Sequence, residues 1–586
     1  MNAGGAVSVD PRRALVPQPQ WCSWLDLAPE PCLPEHRDAF RLSFVDNDVA
    51  IDAAGDPGRY YAERMAEQLR VLHPDGVPDL VTVDWPDLDH RGVMLDCSRN
   101  RIPTIETLDT MFATFGGMRI NHVELYLETT FQHLGHDDIW GDRDAYSLDD
   151  VRRLCRSAAA HHIELIGQQN SLGHLEGWLA SERFEHLAVL PGGYHAPDDG
   201  GHEPPACLDP ANPESWALAS ELVSNMAEAF DQQRMHVGLD EPIDMNPAVW
   251  DAIFDVPGAI APWAEVDDGS FCVPLPPDRR EQYVDWIHRL RELPALNGRN
   301  MLMWADVMAP HPELLDRLPD GITLVEWGYE GPHAFHARCA RIARAGRPFW
   351  VAPGTAGWTS ISGRIDNMIV NVDAALDAAV THGGCGLLIT SWGTLPSVSD
   401  WPGFAWAAAG AWNNDRRPEL AAALDLGVAH DLGVDHTAGL GDIWVALGTI
   451  HRLITPTIPE TGTVSALFTT SGMAGIGLVL NGMTTDQLDA VDAELSRIDA
   501  QLDELRREPA PGRLVVEELR WVQRALTWGV SAARHRLGWP MDADAEWLRS
   551  EHAWLRSEHE RLWHARNRHG GYDDTAAELA GTLGGI

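Results

Sequence analysis

Between residues 88 and 413, short apolar runs rich in β-branched residues alternate with amphipathic helical stretches. This alternation predicts parallel strands that are joined by crossover helices. The region holds eight such runs, and eight parallel strands in a segment of this size predict a (β/α)8 TIM barrel, which is an α/β fold. The predicted strands are VMLDC (93–97), HVELYL (122–127), IELIGQ (163–168), MHVGL (235–239), MLMWA (301–305), ITLVEW (322–327), PFWVAP (348–353) and GLLITSW (386–392).

The segments on either side of the predicted barrel have different patterns. The N-terminal segment predicts a small α+β domain whose best helix covers residues 60–72. After residue 414 strand patterns become scarce, and residues 484–508 and 542–568 predict long helices of an all-helical domain. A chain of 586 residues also exceeds what one hydrophobic core usually supports. The expected domains are therefore 1–87, 88–413 and 414–586.

Composition argues against two classes of partner. The formal net charge of −43 and the pI near 4.8 disfavour nucleic acid, whose phosphates need a basic surface. No stretch approaches the roughly 18 apolar residues of a membrane span, and the first residues show no secretory signal, so we expect a cytoplasmic protein. Eight cysteines stand without CxxC spacing, and neither a metal nor an organic cofactor is implied. An apolar stripe on the last predicted helix permits a homodimer.

Acids and tryptophans collect at or just past the C-terminal ends of the predicted strands. The active site of a TIM barrel lies at this end of the strands. Tryptophan rings form platforms for the apolar faces of sugars, so these positions predict a carbohydrate site. The acids are Asp96, Glu128, Asp240, Glu241, Asp306 and Glu326, the tryptophans are Trp304, Trp327 and Trp392, and the amide Asn170 lies with them.

The strongest local signal is the segment MHVGLDEP, in which Asp240 and Glu241 directly follow an apolar run. Two neighbouring carboxylates raise the proton affinity of one of them. A carboxyl group that stays protonated near neutral pH is what a general acid for glycosidic bond cleavage needs. We expect Glu241, which has the longer reach, to protonate the leaving oxygen while Asp240 stays ionised.

The adjacency of these two carboxylates carries information of its own. A conventional retaining glycosidase holds its acid and its nucleophile about 5–5.5 Å apart on different elements. Adjacent residues fit substrate-assisted hydrolysis better, in which the 2-acetamido oxygen attacks the anomeric carbon and Asp240 stabilises the oxazolinium intermediate. Two alternatives stay open. One is a conventional retaining β-glycosidase with Glu241 as acid and Glu326 as nucleophile, and the other is a non-catalytic barrel that binds amino sugars.

Four ordered segments lie at the first four strands: HRGVMLDCSRNRIPTIETL (90–108), INHVELYLETTFQHLGHDDIW (120–140), QNSLGHLEGW (169–178) and HVGLDE (236–241). Together they resemble glycoside hydrolase family 20. The resemblance implies an exo-acting retaining β-N-acetylhexosaminidase that releases terminal β-linked GlcNAc or GalNAc, with Asp240 orienting the acetamide and Glu241 as acid and then base. It also implies that Arg91 of the HRG motif binds the outer hydroxyls of the sugar, although the sequence alone favours a salt-bridge residue there.

The resemblance implies roles for further residues. His174 of the SLGH motif links an acid on the second strand, here Glu128, to the catalytic carboxylates, and a buried hydrogen-bonded histidine is the alternative. Trp304, Trp327 and Trp392 match an aromatic pocket that wraps the acetamide methyl and stacks beneath the sugar ring. Packing in the core is the alternative interpretation of these three tryptophans.

Two departures from the family pattern concern substrate contacts. Family members usually have a tyrosine on the seventh-strand loop that donates to the acetamide oxygen, whereas VAPGTAGWTS here offers Thr355 or Trp358. The acid that many members carry two residues after the eighth-strand tryptophan is Thr394 here. The choice between gluco and galacto sugars therefore stays open. The residues that can compensate are Asp306, Tyr329, Glu330 and Asp400.

Overall fold

The computed structural model describes residues 15, 17–24, 31–99, 101–197, 201–254, 272–331, 333–358, 360–393, 397–455, 461–469, 480, 482–505, 510–541 and 544–581. The strands are β1 Trp21–Trp24, β2 Phe40–Val45, β3 Asp48–Ala53, β4 Leu80–Asp84, β5 His90–Asp96, β6 His122–Tyr126, β7 Glu164–Gln168, β8 Tyr194–His195, β9 His202–Glu203, β10 Arg234–His236, β11 Asn300–Trp304, β12 Ile322–Trp327, β13 Phe349–Ala352 and β14 Gly386–Ser391.

The α-helices of the N-terminal segment and the barrel are α1 Asp56–Leu72, α2 Ile105–Gly117, α3 Asp137–Trp140, α4 Leu148–Ala160, α5 Glu176–Leu179, α6 Pro213–Phe230, α7 Ala248–Ile253, α8 Pro277–Arg291, α9 Phe335–Arg344, α10 Ile365–His382 and α11 Trp401–Trp412. The later helices are α12 Leu420–Leu424, α13 Leu440–Thr449, α14 Thr463–Thr469, α15 Thr485–Glu504, α16 Ala510–Leu537, α17 Ala545–Arg566 and α18 Tyr572–Gly581. The long helices predicted at 60–72, 484–508 and 542–568 are confirmed within a few residues at each end.

A closed barrel of parallel strands forms the centre of the molecule, in the order β10-β11-β12-β13-β14-β5-β6-β7. This confirms the predicted TIM barrel. The side chains alternate, so that Met94, Trp304 and Trp350 fill the interior while Val93 and Val351 pack outward against the helices. Every predicted strand is present, and the two largest differences are that the first barrel strand begins three residues earlier than predicted and the fourth ends three residues earlier.

That fourth strand, β10, ends at His236, three residues before the predicted end. The apolar run continues through Leu239, but Gly238 and Leu239 have left-handed backbone conformations with φ of +71° and +76°. An extended strand requires negative φ, so the strand stops and a turn begins. Hydrophobicity alone does not report this change of backbone conformation.

The N-terminal segment folds as an antiparallel sheet in the order β1-β4-β2-β3, with α1 packed on it. Its contact with the barrel centres on Asp84, which accepts from Trp412 Nε1 at 2.8 Å and pairs with Arg119 at 2.6 Å. The Arg119 guanidinium also lies 4.2 Å from the centre of the Trp412 ring. These residues are buried, and together they join the sheet to the N-terminal face of the barrel.

Helices alone form the segment after residue 414 in the described part of the chain, as predicted. The apolar stripe of α17 packs against α16, where the indole N–H groups of Trp521 and Trp528 donate to Leu555 O and Leu548 O at 2.8 Å. The stripe is therefore used within the chain, and the homodimer and the three domain boundaries stay predictions. No helix in the described ranges has the length and apolarity needed to cross a membrane.

Candidate active site

A cavity of about 350 Å³ opens at the C-terminal ends of the barrel strands. Its volume suits a small ligand such as one sugar ring. Acidic, basic and aromatic side chains from the loops after several different strands meet in it, as expected for the catalytic face of a TIM barrel. The lining residues are Arg99, Tyr126, His174, Asp240, Glu241, Trp327, Tyr329, Trp358, Trp392 and Gly393.

Asp240 and Glu241 both line this cavity and lie in the loop that follows β10. The left-handed turn at Gly238 and Leu239, followed by φ of +40° at Glu241, allows two consecutive side chains to face the same cavity. A Cβ atom at Gly238 would lie 2.1 Å from Asn170 Oδ1, so that only glycine fits there. The turn thus depends on residues that the hydrophobic pattern does not distinguish.

His174 lies between the two carboxyl groups. Its Nε2 atom is 3.3 Å from Asp240 Oδ2 and 3.3 Å from Glu241 Oε2. Burial alone lowers the pKa of an imidazole, but the charge of Asp240 and the hydrogen bonds to Asp240 and Glu241 raise the pKa of His174 well above its usual value. His174 therefore carries a positive charge at neutral pH and holds the two carboxyl groups on either side of it.

The carboxyl group that contacts the other ring nitrogen of His174, Nδ1, belongs to Glu176, whereas the sequence predicted Glu128. Glu176 Oε1 lies 4.0 Å from His174 Nδ1, and burial raises the pKa of Glu176 to about 7 although the charge of His174 opposes this. Glu128 instead accepts from the Tyr126 hydroxyl at 2.7 Å. Glu176 is therefore the acid in direct contact with His174 Nδ1, while Glu128 interacts with His174 through its charge. Glu176 comes two residues after His174, so this closeness in sequence is the signal that points to it.

Arg99, Tyr126 and Gly393 line the cavity but are not among the predicted site residues, and Arg99 is the charged one of the three. Asp96, at the end of β5, accepts from the Arg99 backbone N–H at 3.3 Å and from its Nη1 at 3.1 Å. The guanidinium lies 5.6 Å from the centre of the Tyr126 ring and 5.2 Å from that of Trp392. Asp96 is one of the strand-end acids of the sequence analysis. The sequence signal for Arg99 is its place three residues after this acid, just past the end of the strand.

Arg91 lies elsewhere, and the prediction that it binds substrate is wrong. It is the second residue of β5, at the opposite end of the strand from the cavity, and its side chain is fully buried. Its guanidinium donates to Asp38 Oδ2 and to Arg119 O, both at 2.7 Å. An arginine held in this way at the N-terminal end of its strand cannot reach a ligand in the cavity. The interpretation of Arg91 as a salt-bridge residue agrees with the structure.

Four aromatic side chains, Trp327, Tyr329, Trp358 and Trp392, form the apolar wall of the cavity. Tyr329 stacks on Trp327 with ring centres 5.1 Å apart, and its edge meets the ring of Trp358 at 5.1 Å. Trp304, predicted to belong to this wall, is 1% exposed and lies beneath Trp392, with ring centres 6.5 Å apart. It supports the wall from inside the barrel, so its predicted contact with ligand is wrong.

Asp306 is also buried rather than exposed to the cavity, with 1% of its surface accessible. Its Oδ2 accepts from the Glu241 backbone N–H at 3.1 Å. Burial, together with the charge of Asp240, raises the pKa of Asp306 to about 8. The residue lies behind Asp240 and Glu241, and the prediction that it contacts the sugar is contradicted by this position.

The remaining candidates have other partners. Glu330 forms a paired salt bridge with Arg364, and Asp400 accepts from the Thr355 hydroxyl at 2.5 Å and from Ser391 at 2.7 Å. Asp400 is buried, and neither Glu330 nor Asp400 lines the cavity. Thr394 lies outside the described residues.

Glu326, the alternative nucleophile, points away from the barrel interior. Its neighbours along β12, Val325 and Trp327, belong to the inner cluster, so Glu326 faces the helical layer. Glu326 is 2% exposed and accepts from Arg338 Nη1 at 2.9 Å. Although its burial alone raises the carboxyl pKa, the Arg338 charge keeps the pKa of Glu326 below its usual value. This location contradicts a nucleophilic role for Glu326.

Comparison with known proteins agrees with this arrangement. Residues 88–354 match the family model described as glycosyl hydrolase family 20, catalytic domain. The match covers most of the barrel, 267 of the 586 residues of the chain. The sequence resemblance is thereby confirmed over residues 88–354.

Individual relatives are distant from this chain. A lacto-N-biosidase from Bifidobacterium bifidum is 22% identical over 271 residues, which are 46% of this chain and 22% of that protein. The β-hexosaminidase subunit beta of Mus musculus is 25% identical over 168 residues, or 27% of this chain and 30% of that protein. The chain thus spans less than a third of the length of these two relatives.

Solved structures support the fold over a larger part of the chain. A crystallised chitobiase from Flavobacterium johnsoniae superposes with a TM-score of 0.52 at 15% identity, covering 90% of this chain and 86% of that one. At this identity the likeness shows the common architecture alone.

Proposed function

We propose that the chain is an exo-acting retaining β-N-acetylhexosaminidase that removes terminal β-linked GlcNAc or GalNAc by substrate-assisted catalysis. The observation that carries this proposal is the contact of one histidine, His174, with both Asp240 and Glu241 at the mouth of a family 20 barrel. Adjacent carboxyl groups held by one cation suit an acid and an acetamide-orienting group that act on the same sugar.

The proposed first step joins protonation to attack by the substrate itself. Glu241 gives its proton to the glycosidic oxygen as the bond from that oxygen to the anomeric carbon breaks. The acetamide oxygen forms the new bond to the anomeric carbon, and Asp240 accepts the acetamide N–H and stabilises the positive charge of the oxazolinium. In the second step the Glu241 carboxylate takes a proton from water, whose oxygen attacks the anomeric carbon and opens the oxazolinium ring. Two inversions give retention of configuration.

Arg99 and Tyr329 are the proposed sugar contacts. Arg99 has a planar fork of donors that suits neighbouring hydroxyls, and it stands in the cavity where Arg91 was expected to act. Tyr329 is proposed to take the place of the missing seventh-strand tyrosine. A Cβ atom at Gly354 of that loop would lie 3.0 Å from Tyr329 Cδ1 and 2.3 Å from the Trp358 ring. The absence of a side chain at Gly354 therefore makes room for the Tyr329 ring.

Replacing the two arginines in turn should separate binding from stability. Arg99→Ala is expected to lower kcat/KM by about 10- to 100-fold, because it loses charge-assisted hydrogen bonds to the sugar. Arg91→Ala should instead lower the free energy of unfolding by about 3–5 kcal/mol, since buried Asp38 loses its buried partner and keeps, among the described residues, only the ion pair with the exposed Arg37. Urea unfolding and steady-state kinetics of both variants test this. A stable Arg91→Ala enzyme with a reduced kcat/KM would reverse the two assignments.

A panel of aryl β-glycosides tests the proposed function directly. We expect turnover of the GlcNAc or GalNAc glycoside, or of an acetamido-containing disaccharide, and none of the plain glucoside and galactoside. A thiazoline mimic of the oxazolinium should inhibit, and a 2-fluoro sugar should not inactivate. Hydrolysis of plain glycosides with 2-fluoro inactivation would support a conventional nucleophile, and binding of amino sugars without any turnover would support the non-catalytic barrel.

A further inference from the structure

The last residue of β10, His236, lies directly before the turn that carries Asp240 and Glu241. His236 is fully buried, and its neighbours Met235 and Val237 pack outward against the helices, so the His236 ring faces the barrel interior. The ring takes no part in the two steps proposed for hydrolysis. It does not line the cavity, yet its contacts reach the backbone of the turn.

A hydrogen bond joins the His236 ring to the turn. The Gly238 backbone N–H donates to His236 Nδ1 at 3.1 Å, inside the barrel core. A ring nitrogen that accepts cannot carry the proton, so the ring is the neutral tautomer with its hydrogen on Nε2. Burial lowers the pKa of His236 although the charges of Glu124 and Asp240 oppose this, and the lowered pKa favours the neutral form. His236 is therefore a hydrogen-bond acceptor, in contrast to the positively charged His174.

The carbonyl of Gly238 is held as well. It accepts from the Trp304 backbone N–H at 3.0 Å, and the Trp304 ring lies against the His236 ring with ring centres 4.6 Å apart. Gly238 is the first residue of the turn in the left-handed conformation, with φ of +71°. Both of its backbone polar groups are therefore fixed at the point where the strand becomes a turn. Because Asp240 and Glu241 follow directly, a small rotation at Gly238 would displace both carboxyl groups.

We propose that His236 is a positioning residue, whose Nδ1 fixes the Gly238 N–H and thereby the turn that points two consecutive carboxyl groups into one cavity. Gly238 is buried, and a buried N–H without an acceptor costs free energy that a rotation of the peptide relieves. That rotation would move Asp240 and Glu241 away from the reacting atoms, and a positioned reaction is slowed by displacements of about 1 Å. The kinetic part of this proposal rests on the proposed function, whereas the hydrogen bond and its effect on the turn do not.

His236→Asn and His236→Leu form a matched pair of variants for this test. The two new side chains have the same branched shape, and the asparagine can place Oδ1 where His236 has Nδ1, whereas leucine has no acceptor. Both variants remove the same part of the ring beside Trp304, so a role in packing alone predicts similar losses of activity. We expect kcat of His236→Leu to be about 10- to 100-fold lower than that of His236→Asn. KM should differ less than kcat, because Arg99 and the aromatic wall lie on other loops.

Hydrogen exchange gives a readout that does not depend on activity. A backbone N–H exchanges with solvent only when its hydrogen bond opens, so exchange at Gly238 reports the bond to His236 directly. We expect slow exchange at Gly238 in the wild-type protein and in His236→Asn, and faster exchange in His236→Leu. Mass spectrometry of peptides that contain residues 237–241, taken at several exchange times, measures this difference.

The two measurements also decide against the proposal where it is wrong. Equal kcat values for His236→Asn and His236→Leu, or equal exchange at the turn, would overturn it, because the ring would then act through its volume alone. If His236→Leu does not fold, His236→Gln takes its place, since the glutamine amide extends toward the Nε2 position, and the same two comparisons apply. Absence of turnover by the wild-type protein would overturn the proposed function alone, because the exchange comparison still decides whether His236 holds the turn.

Discussion

Glu241→Gln is expected to lower kcat by about 10²–10⁴-fold on glycosides with an alcohol leaving group, the usual value of a positioned general acid. The glutamine amide is similar in shape but has no acidic proton to give to the departing oxygen. The loss should be much smaller for an aryl glycoside whose leaving group is already a stable anion, because its departure needs no proton. A series of aryl glycosides of increasing leaving-group pKa measures this directly.

Glu176→Gln is the matched control for that experiment. Glu176 is another carboxyl group beside His174, at 4.0 Å, but it does not line the cavity. Any loss of kcat in this variant should therefore be the same for every leaving group. If Glu241→Gln also lowered kcat equally across the series, the proton would have to come from another residue.

The fold could be predicted from the sequence because strand periodicity and strand count describe a TIM barrel almost completely. The error at β10 has a physical origin. Leu239 looks like the last residue of an apolar strand, but its φ of +76° places it in a turn. Side-chain hydrophobicity reports burial and not backbone dihedral angles, so a buried turn and a buried strand have the same pattern.

The site could be predicted only in part, and the errors share a cause. Position along a strand determines which end of the barrel a residue faces, and this explains why Asp240 and Glu241 were placed correctly. Arg91 belongs to the first half of β5 and therefore faces the N-terminal end, whereas Arg99 lies past its C-terminal end. Asp306 follows its strand as expected, yet the fold buries it, because a neighbouring loop covers it through the Glu241 N–H.

Asp240→Asn tests whether the nucleophile comes from the substrate. We expect kcat for acetamido glycosides to fall by about 10²–10³-fold, since the asparagine cannot stabilise the positive charge that develops in the oxazolinium ring. The affinity for a thiazoline mimic should fall together with kcat, because both depend on the same carboxylate charge. Calorimetric titration of the inhibitor and steady-state kinetics on one preparation measure the two effects.

Asp244→Asn separates this effect from general damage to the loop. Asp244 lies in the same loop and is buried, where it accepts from Ala206 N at 2.7 Å, Cys207 N at 2.9 Å and Trp250 Nε1 at 2.8 Å. Because Asp244 satisfies three N–H groups, its replacement should lower Tm. Thiazoline affinity and kcat should not fall together, as they are expected to do in Asp240→Asn. A folded Asp240→Asn enzyme that binds the thiazoline as tightly as wild type would show that Asp240 does not hold the intermediate. Substrate assistance would then need a different orienting group among the cavity residues.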